Sequence, residues 1–284
     1  MKFLRINFTT NLFVTLVILL IIFPINDIFS SNAKFYSVNT IYGKSIRDVY
    51  SICKDDEGFI WGASKTGILR VSENDCRLYS LPVTITDFYF TRLGYRDSAL
   101  IAYTSNGQVF IYNKLYDRFD LLVDIRQTLN DVYINAIGLV ADKNETLWIG
   151  TTKGLFKYSN KQLTLVYDSK KEVQYISLYD EHNMIIATVN GIGIFDLKSS
   201  KLTHGYKYST ENEIQVSSLL SDPELNQIWI GTISNGLFRY SLKEKELIPV
   251  LKGKLSKQPI LTIKNKNVQR GRKRPIFASR RWCL

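Results

Sequence analysis

The chain has 284 residues, with 37 Lys and Arg against 26 Asp and Glu, and its net charge is +11. The excess is local: the last twenty residues hold seven Lys or Arg and no acid, and residues 1–33 add one net charge, which leaves +3 for residues 34–264. A body that close to neutral has no electrostatic footprint for a phosphate backbone, which excludes a nucleic-acid partner. The only histidines are His182 and His204 and there is no Cys-x-x-Cys, so neither a metal nor another cofactor is expected.

Residues 1–33 read as a secretory signal peptide. Lys2 and Arg5 precede an apolar run from Leu12 to Phe23, broken only by Thr15, and Ser31-Asn32-Ala33 offers small residues for cleavage. The run stops at Pro24, short of the roughly 18 apolar residues a spanning helix needs. No second stretch of spanning length follows, so the expectation is a periplasmic chain with no membrane span beyond the signal. A retained N-terminal anchor is the alternative.

From residue 34 one pattern recurs. The chain reads WGASKTGILRV at Trp61, IAYTSNGQVFIY at Ile101, WIGTTKGLFKY at Trp148, IIATVNGIGIFD at Ile185 and WIGTISNGLFRY at Trp229. Each stretch opens on Trp or Ile and reaches a hydroxyl three residues later: Ser64, Thr104, Thr151, Thr188 or Thr232. A turn glycine follows at Gly67, Gly107, Gly154, Gly191 or Gly236, at successive spacings of 40, 47, 37 and 45 residues. A β-rich run and an acidic turn stand before each stretch, such as YINAIGLV before ADKNE, and a further short strand such as QLTLVY stands after it. A period in the forties made of short β segments predicts an all-β fold, the β-propeller. It gives five recognisable four-stranded blades and a partial sixth, in a ring that need not be complete. The large residue opening the second strand is expected to fill the space between blades.

The propeller is expected over residues 34–264, and residues 265–284 as a basic tail outside the fold. Cys53 and Cys76 read as members of two apolar strands, with a bridge between them as the alternative that an oxidising compartment permits. Catalysis is not expected. Glycoside hydrolysis needs two carboxylates at a defined separation, whereas the acids here cluster in turns, where they bond turn backbone. DDEGFIW has the outline of a sialidase Asp-box, but Cys53 stands where its hydroxyl residue belongs.

Asp55, Gly58, Ile60 and Trp61, then Trp148-Ile149-Gly150-Thr151 with Gly154, and Trp229-Ile230-Gly231-Thr232 with Gly236, resemble the two-component regulator propeller repeat. The units at Ile101 and Ile185 depart from it by lacking Trp. The resemblance implies the periplasmic sensor region of a hybrid two-component histidine kinase, which detects an oligosaccharide and controls polysaccharide-utilisation genes, with a homodimer as the signalling assembly. That family continues with further blades, a membrane helix and a kinase. The Arg-rich sequence after QPILTIKNKN departs from it, and a truncated or frameshifted sensor product is the expectation. A basic tail for an anionic surface, a protein-interaction propeller and a non-functional gene remnant remain as alternatives.

In a four-stranded blade the turn between second and third strands shares one face with the loop to the next blade. Lys65, Thr66, Asn106, Lys153, Asn190 and Asn235 occupy those turns and are the candidate ligand-binding residues. The loops around Pro82, Asn130, Lys170, Glu211 and Lys254 join them there. Polar turn residues beside aromatic rings suit a sugar, whose hydroxyls need paired donors and whose ring faces need flat partners.

Overall fold

A computed structural model of the chain describes residues 37–82, 90–96, 98–129, 133–139, 146–169, 171–208, 214–267 and 273–279. The expected signal peptide lies outside the described residues, as do Asn130, Lys170 and Glu211. Residues up to Gly43 form a unit of their own, of which the short helix α1 (Val38–Tyr42) is described.

From Lys44 onward the chain is a succession of antiparallel meanders. Blade 1 comprises β1 (Val49–Lys54), β2 (Ile60–Ser64), β3 (Gly67–Val71) and β4 (Cys76–Tyr79). Blade 2 comprises β5 (Thr91–Arg96), β6 (Ala99–Thr104), β7 (Gln108–Asn113) and β8 (Arg118–Asp124). Blade 3 holds β9 (Ile134–Leu139), β10 (Leu147–Thr151), β11 (Gly154–Ser159) and β12 (Gln162–Tyr167). Blade 4 holds β13 (Val173–Leu178), β14 (Asn183–Thr188), β15 (Gly191–Asp196) and β16 (Lys201–Lys207). Blade 5 is built from β17 (Val216–Asp222), β18 (Gln227–Thr232), β19 (Leu237–Ser241) and β20 (Glu246–Pro249). A sixth unit pairs β21 (Ile260–Asn267) with β22 (Lys273–Ser279). The fold is the expected all-β propeller, and the first strands of consecutive blades adjoin from β1 through β21.

Burial explains why the units stack. Each hydrophobic cluster spans one blade-to-blade interface. Trp61 and Ile68 of blade 1 meet Leu93 and Phe110 of blade 2, and Ile101 and Val109 of blade 2 meet Ile149 of blade 3. Trp148 then packs with Met184 and Phe195 of blade 4, Ile185 with Leu219 and Ile230 of blade 5, and Trp229 with Ile260 and Ile263 of the sixth unit. The motif Trp or Ile, the second or third residue of each second strand, thus fills the space towards the next blade in all five blades. A sheet with two apolar faces needs a neighbour on each, which is why one unit cannot stand alone.

A bulge repeats at the start of the first strand. Tyr50, Gln174, Ser217 and Leu261 are each the extra residue in the pairing of first with second strand, and blade 2 alone among the described pairs runs without a shift there. A bulge re-aims its side chain, and here the side chain reaches the next blade. Gln174 Oε1 accepts from Val216 N at 2.9 Å, Ser217 Oγ donates to the Ile260 carbonyl, and the Tyr50 ring meets Phe90 edge-on at 5.0 Å.

The sixth unit follows the same register. Ile260 pairs with Ser279 as Val173 pairs with Thr188 and Val216 with Thr232. The hairpin carries the fold past residue 264, into the stretch expected to stand outside it. Cys53 and Cys76 are not bridged to each other. They lie on the first and fourth strands of one sheet, about 14 Å apart at the usual strand spacing and far beyond disulfide reach.

Candidate functional site

The second-to-third-strand turns share one end of the molecule with the segments that enter the first strands. Backbone bonds tie the two together: Lys65 N to Arg47 O at 3.1 Å, Ser105 N to Phe90 O at 2.9 Å, Thr152 N to Tyr133 O at 3.0 Å and Ile233 N to Gln215 O at 3.0 Å. In blade 4 the turn is tied instead to the end of the fourth strand, Tyr208 N donating to Asn190 O at 2.8 Å. All six predicted ligand-binding residues stand on these turns.

The recurring hydroxyl explains how the turns are held. Thr151 Oγ1 donates to Gly154 O at 2.9 Å and accepts from Lys153 N at 3.1 Å. Ser64 does the same with Gly67 O and Thr66 N, Thr188 with Gly191 O and Asn190 N, and Thr232 with Gly236 O and Asn235 N. In blade 2 both bonds of Thr104 go to Gln108. Each hydroxyl therefore satisfies two backbone groups of its own turn. The side chains of Lys65, Thr66, Lys153 and Asn190 are exposed and Asn235 is half-buried.

Asn106 differs from the other five. It is 7% exposed, and neither its Nδ2 nor its Oδ1 has a hydrogen-bond partner among the described residues. Near it in the chain, buried Gln108 donates from Nε2 to Asp124 Oδ2 at 3.1 Å, and Asp124 is forked by Arg126 at 3.2 and 3.1 Å.

Two residues that the sequence did not single out complete this end. Phe90 is 45% exposed at the entrance to β5, held by Ser105 through Phe90 N to Ser105 Oγ at 3.1 Å. Tyr133 is 56% exposed at the entrance to β9, held by Thr152 through Tyr133 N to Thr152 Oγ1 at 3.2 Å. Both backbones are thus held in place, and both rings are about half exposed. The run YINAIGLV reads as strand from its first residue, whereas β9 begins one residue later and leaves Tyr133 outside it.

The opposite end carries a polar cluster between blades 1 and 2. Asp117, in the β7–β8 turn, accepts from Tyr79 Oη at 2.7 Å, from Tyr112 Oη and from Arg77, with Arg70 Nη1 at 3.4 Å. Burial pushes this carboxyl up, but the bonds from Tyr112 and Tyr79 and the charges of Arg70 and Arg77 outweigh it and hold Asp117 below the ordinary carboxyl value. Among the described residues no group of three or more His, Cys, Asp or Glu could hold a metal ion.

No family model matches the chain, and no curated protein matches its sequence. Solved structures do match its fold. The extracellular domain of BT4673 from B. thetaiotaomicron, described as a hybrid two-component system, superimposes with a TM-score of 0.64 at 22% identity, over 84% of this chain and 32% of that one. The extracellular domain of BT3049 from the same organism, described likewise, gives 0.62 at 17% identity over 83% and 33%. The WD40 β-propeller domain of Doa1 gives 0.61 at 13% identity over 81% and 75%. The chain has the propeller fold of these ectodomains and spans about a third of their length.

Proposed function

We propose that this propeller, which shares its fold with the extracellular domains of two-component systems, is the exported ligand-sensing part of such a sensor. Its turn end recognises an oligosaccharide and so controls polysaccharide-utilisation genes, through a kinase outside this chain. The observation that supports this reading is the pair of half-exposed rings, Phe90 and Tyr133, whose backbones are held beside turns locked by their own hydroxyls. Flat apolar faces flanked by polar turn side chains match a sugar, which presents an apolar face and a rim of hydroxyls. Ligand affinity can move a signalling equilibrium only by the difference between its affinities for the two states. In a homodimeric ectodomain that difference would be expressed between the paired propellers.

The test is thermal unfolding of the exported chain against a panel of plant, host and microbial oligosaccharides. One sugar class should raise the midpoint by a few degrees near saturation, and Tyr133→Ala should abolish the rise while leaving the unliganded midpoint within about 1 °C, as for an exposed side chain. A cooperative transition that no sugar class moves would reject the reading.

A further inference from the structure

At the end of the molecule away from those turns, the interface of blades 1 and 2 opens into a cavity of about 350 Å³. That is within the range of small-molecule sites. Phe59, Trp61, Tyr95 and Tyr112 supply aromatic walls, and Arg70 and Asp117 supply charge. Arg70 is held among rings, its guanidinium carbon 4.9 Å from the centroid of Phe59, 5.7 Å from Trp61 and 5.6 Å from Tyr79. One nitrogen, Nη1, donates to Tyr112 Oη at 3.1 Å and approaches Asp117 at 3.4 Å. Nε and Nη2 make no hydrogen bond among the described residues.

The other ionisable side chains in the cavity already have hydrogen-bond or ion-pair partners. Asp55 accepts from Trp61 Nε1 at 2.6 Å and Phe59 N at 2.8 Å, Lys114 pairs with Glu57 at 2.9 Å, and Asp117 is taken by Arg77 and two tyrosines. What remains is a guanidinium with two donors in a fixed fork, between flat apolar walls. That fork fits a carboxylate with two parallel bonds.

We propose that this cavity is a binding site for a small ring-bearing monocarboxylate, its carboxylate on Arg70 and its ring against the aromatic walls. The site is independent of the turn end and stands or falls apart from the sugar reading. Two sources share the chemistry, an aromatic acid and a sugar acid.

The experiment is calorimetric titration of the full exported chain with benzoate and with glucuronate, beside their neutral counterparts benzamide and glucose. At least one carboxylate should bind saturably while its neutral counterpart binds about tenfold or more weakly, and the arm that responds names the source. Arg70→Gln should weaken binding by about tenfold or more, the value of a charge-assisted pair. Arg70→Lys keeps a cation among the rings, removes the fork, and should weaken it comparably should the Gln variant fail to fold. Arg77→Gln, which takes a charge from Asp117 without lining the cavity, should leave affinity within about threefold. No saturable carboxylate binding to a cooperatively folding chain overturns the proposal. So does equal binding of the neutral counterparts, or affinity that survives in Arg70→Lys.

Discussion

At the scale of the residue, the recurring Ser or Thr is a structural lock. Thr151 is fully buried, and its hydroxyl both donates and accepts within one turn. Thr188 makes the same two bonds at 3.3 Å each and is half-buried. Replacing a buried, doubly bonded hydroxyl by a methyl leaves a donor and an acceptor without partners, at about 1–3 kcal/mol. Thr151→Val should therefore destabilise by that amount and Thr188→Val by less, which urea midpoints of the two variants will show. Equal midpoints would mean that the lock is not what those positions are for. The position of the hydroxyl was legible in the sequence from its constant offset after Trp or Ile. Its role was not, because the spacing does not say whether a hydroxyl faces a ligand or its own turn.

The element that gives the turn its glycine is the fourth strand. A Cβ on Gly154 would stand 2.4 Å from the Tyr167 carbonyl at the end of β12, and its φ of +130° is one that L residues avoid. Gly58 also has positive φ, +92°, but nothing lies within 4 Å of where its Cβ would be. Gly154→Ala should cost about 3 kcal/mol or more, since strain adds to collision with backbone, and Gly58→Ala about 1 kcal/mol from strain alone. Chemical denaturation of both variants checks the ordering, and a larger loss at Gly58 would refute it. One signal at this scale was present in the sequence and easy to pass over. Trp61, Trp148 and Trp229 pair across β2–β3, β10–β11 and β18–β19 with Arg70, Lys157 and Arg239. Ile101 and Ile185 pair with Ile111 and Ile194. Each basic residue stands three after the turn glycine, where a cation can lie over the indole, as Lys157 does at 5.6 Å from Trp148. The strands were readable from the local pattern, but the cavity at Arg70 was not, because half of its wall comes from a different blade.

For the whole molecule, stability is distributed among slabs between blades, and the slab between blades 1 and 2 carries a polar clamp as well. Asp117 joins Arg70, Arg77 and Tyr79 of blade 1 to Tyr112 of its own blade. Its carboxyl is held below the ordinary value in the folded chain. A group depressed in this way contributes stability that is present above its unfolded pKa and lost as pH falls through the folded one. Unfolding midpoints should hence fall as pH drops below about 4, the ordinary Asp value, and Asp117→Asn should show a shallower fall over the same range. An unchanged slope in that variant would remove the clamp from the acid response. A sequence could not have shown this, since Asp117 reads as one more acid in a turn until blade 1 is set against it.

The alternation of Trp-type and Ile-type blades has a consequence for which blades the chain can gain or lose. Interfaces come in two kinds, Trp blade onto Ile blade and Ile blade onto Trp blade, and they take turns along the chain. The spacings take turns as well: Gly67 to Gly154 is 87 residues, Gly107 to Gly191 is 84, and Gly154 to Gly236 is 82. The sixth unit continues the rhythm, with Ile276-Phe277-Ala278-Ser279 in β22 where the Ile type belongs. Adding or losing two blades at once would leave every surviving face against its accustomed kind of neighbour. Removing blade 3 alone would set two Ile-type blades against each other, and cooperative unfolding of such a chain as stable as the parent would show that the two kinds of face are interchangeable.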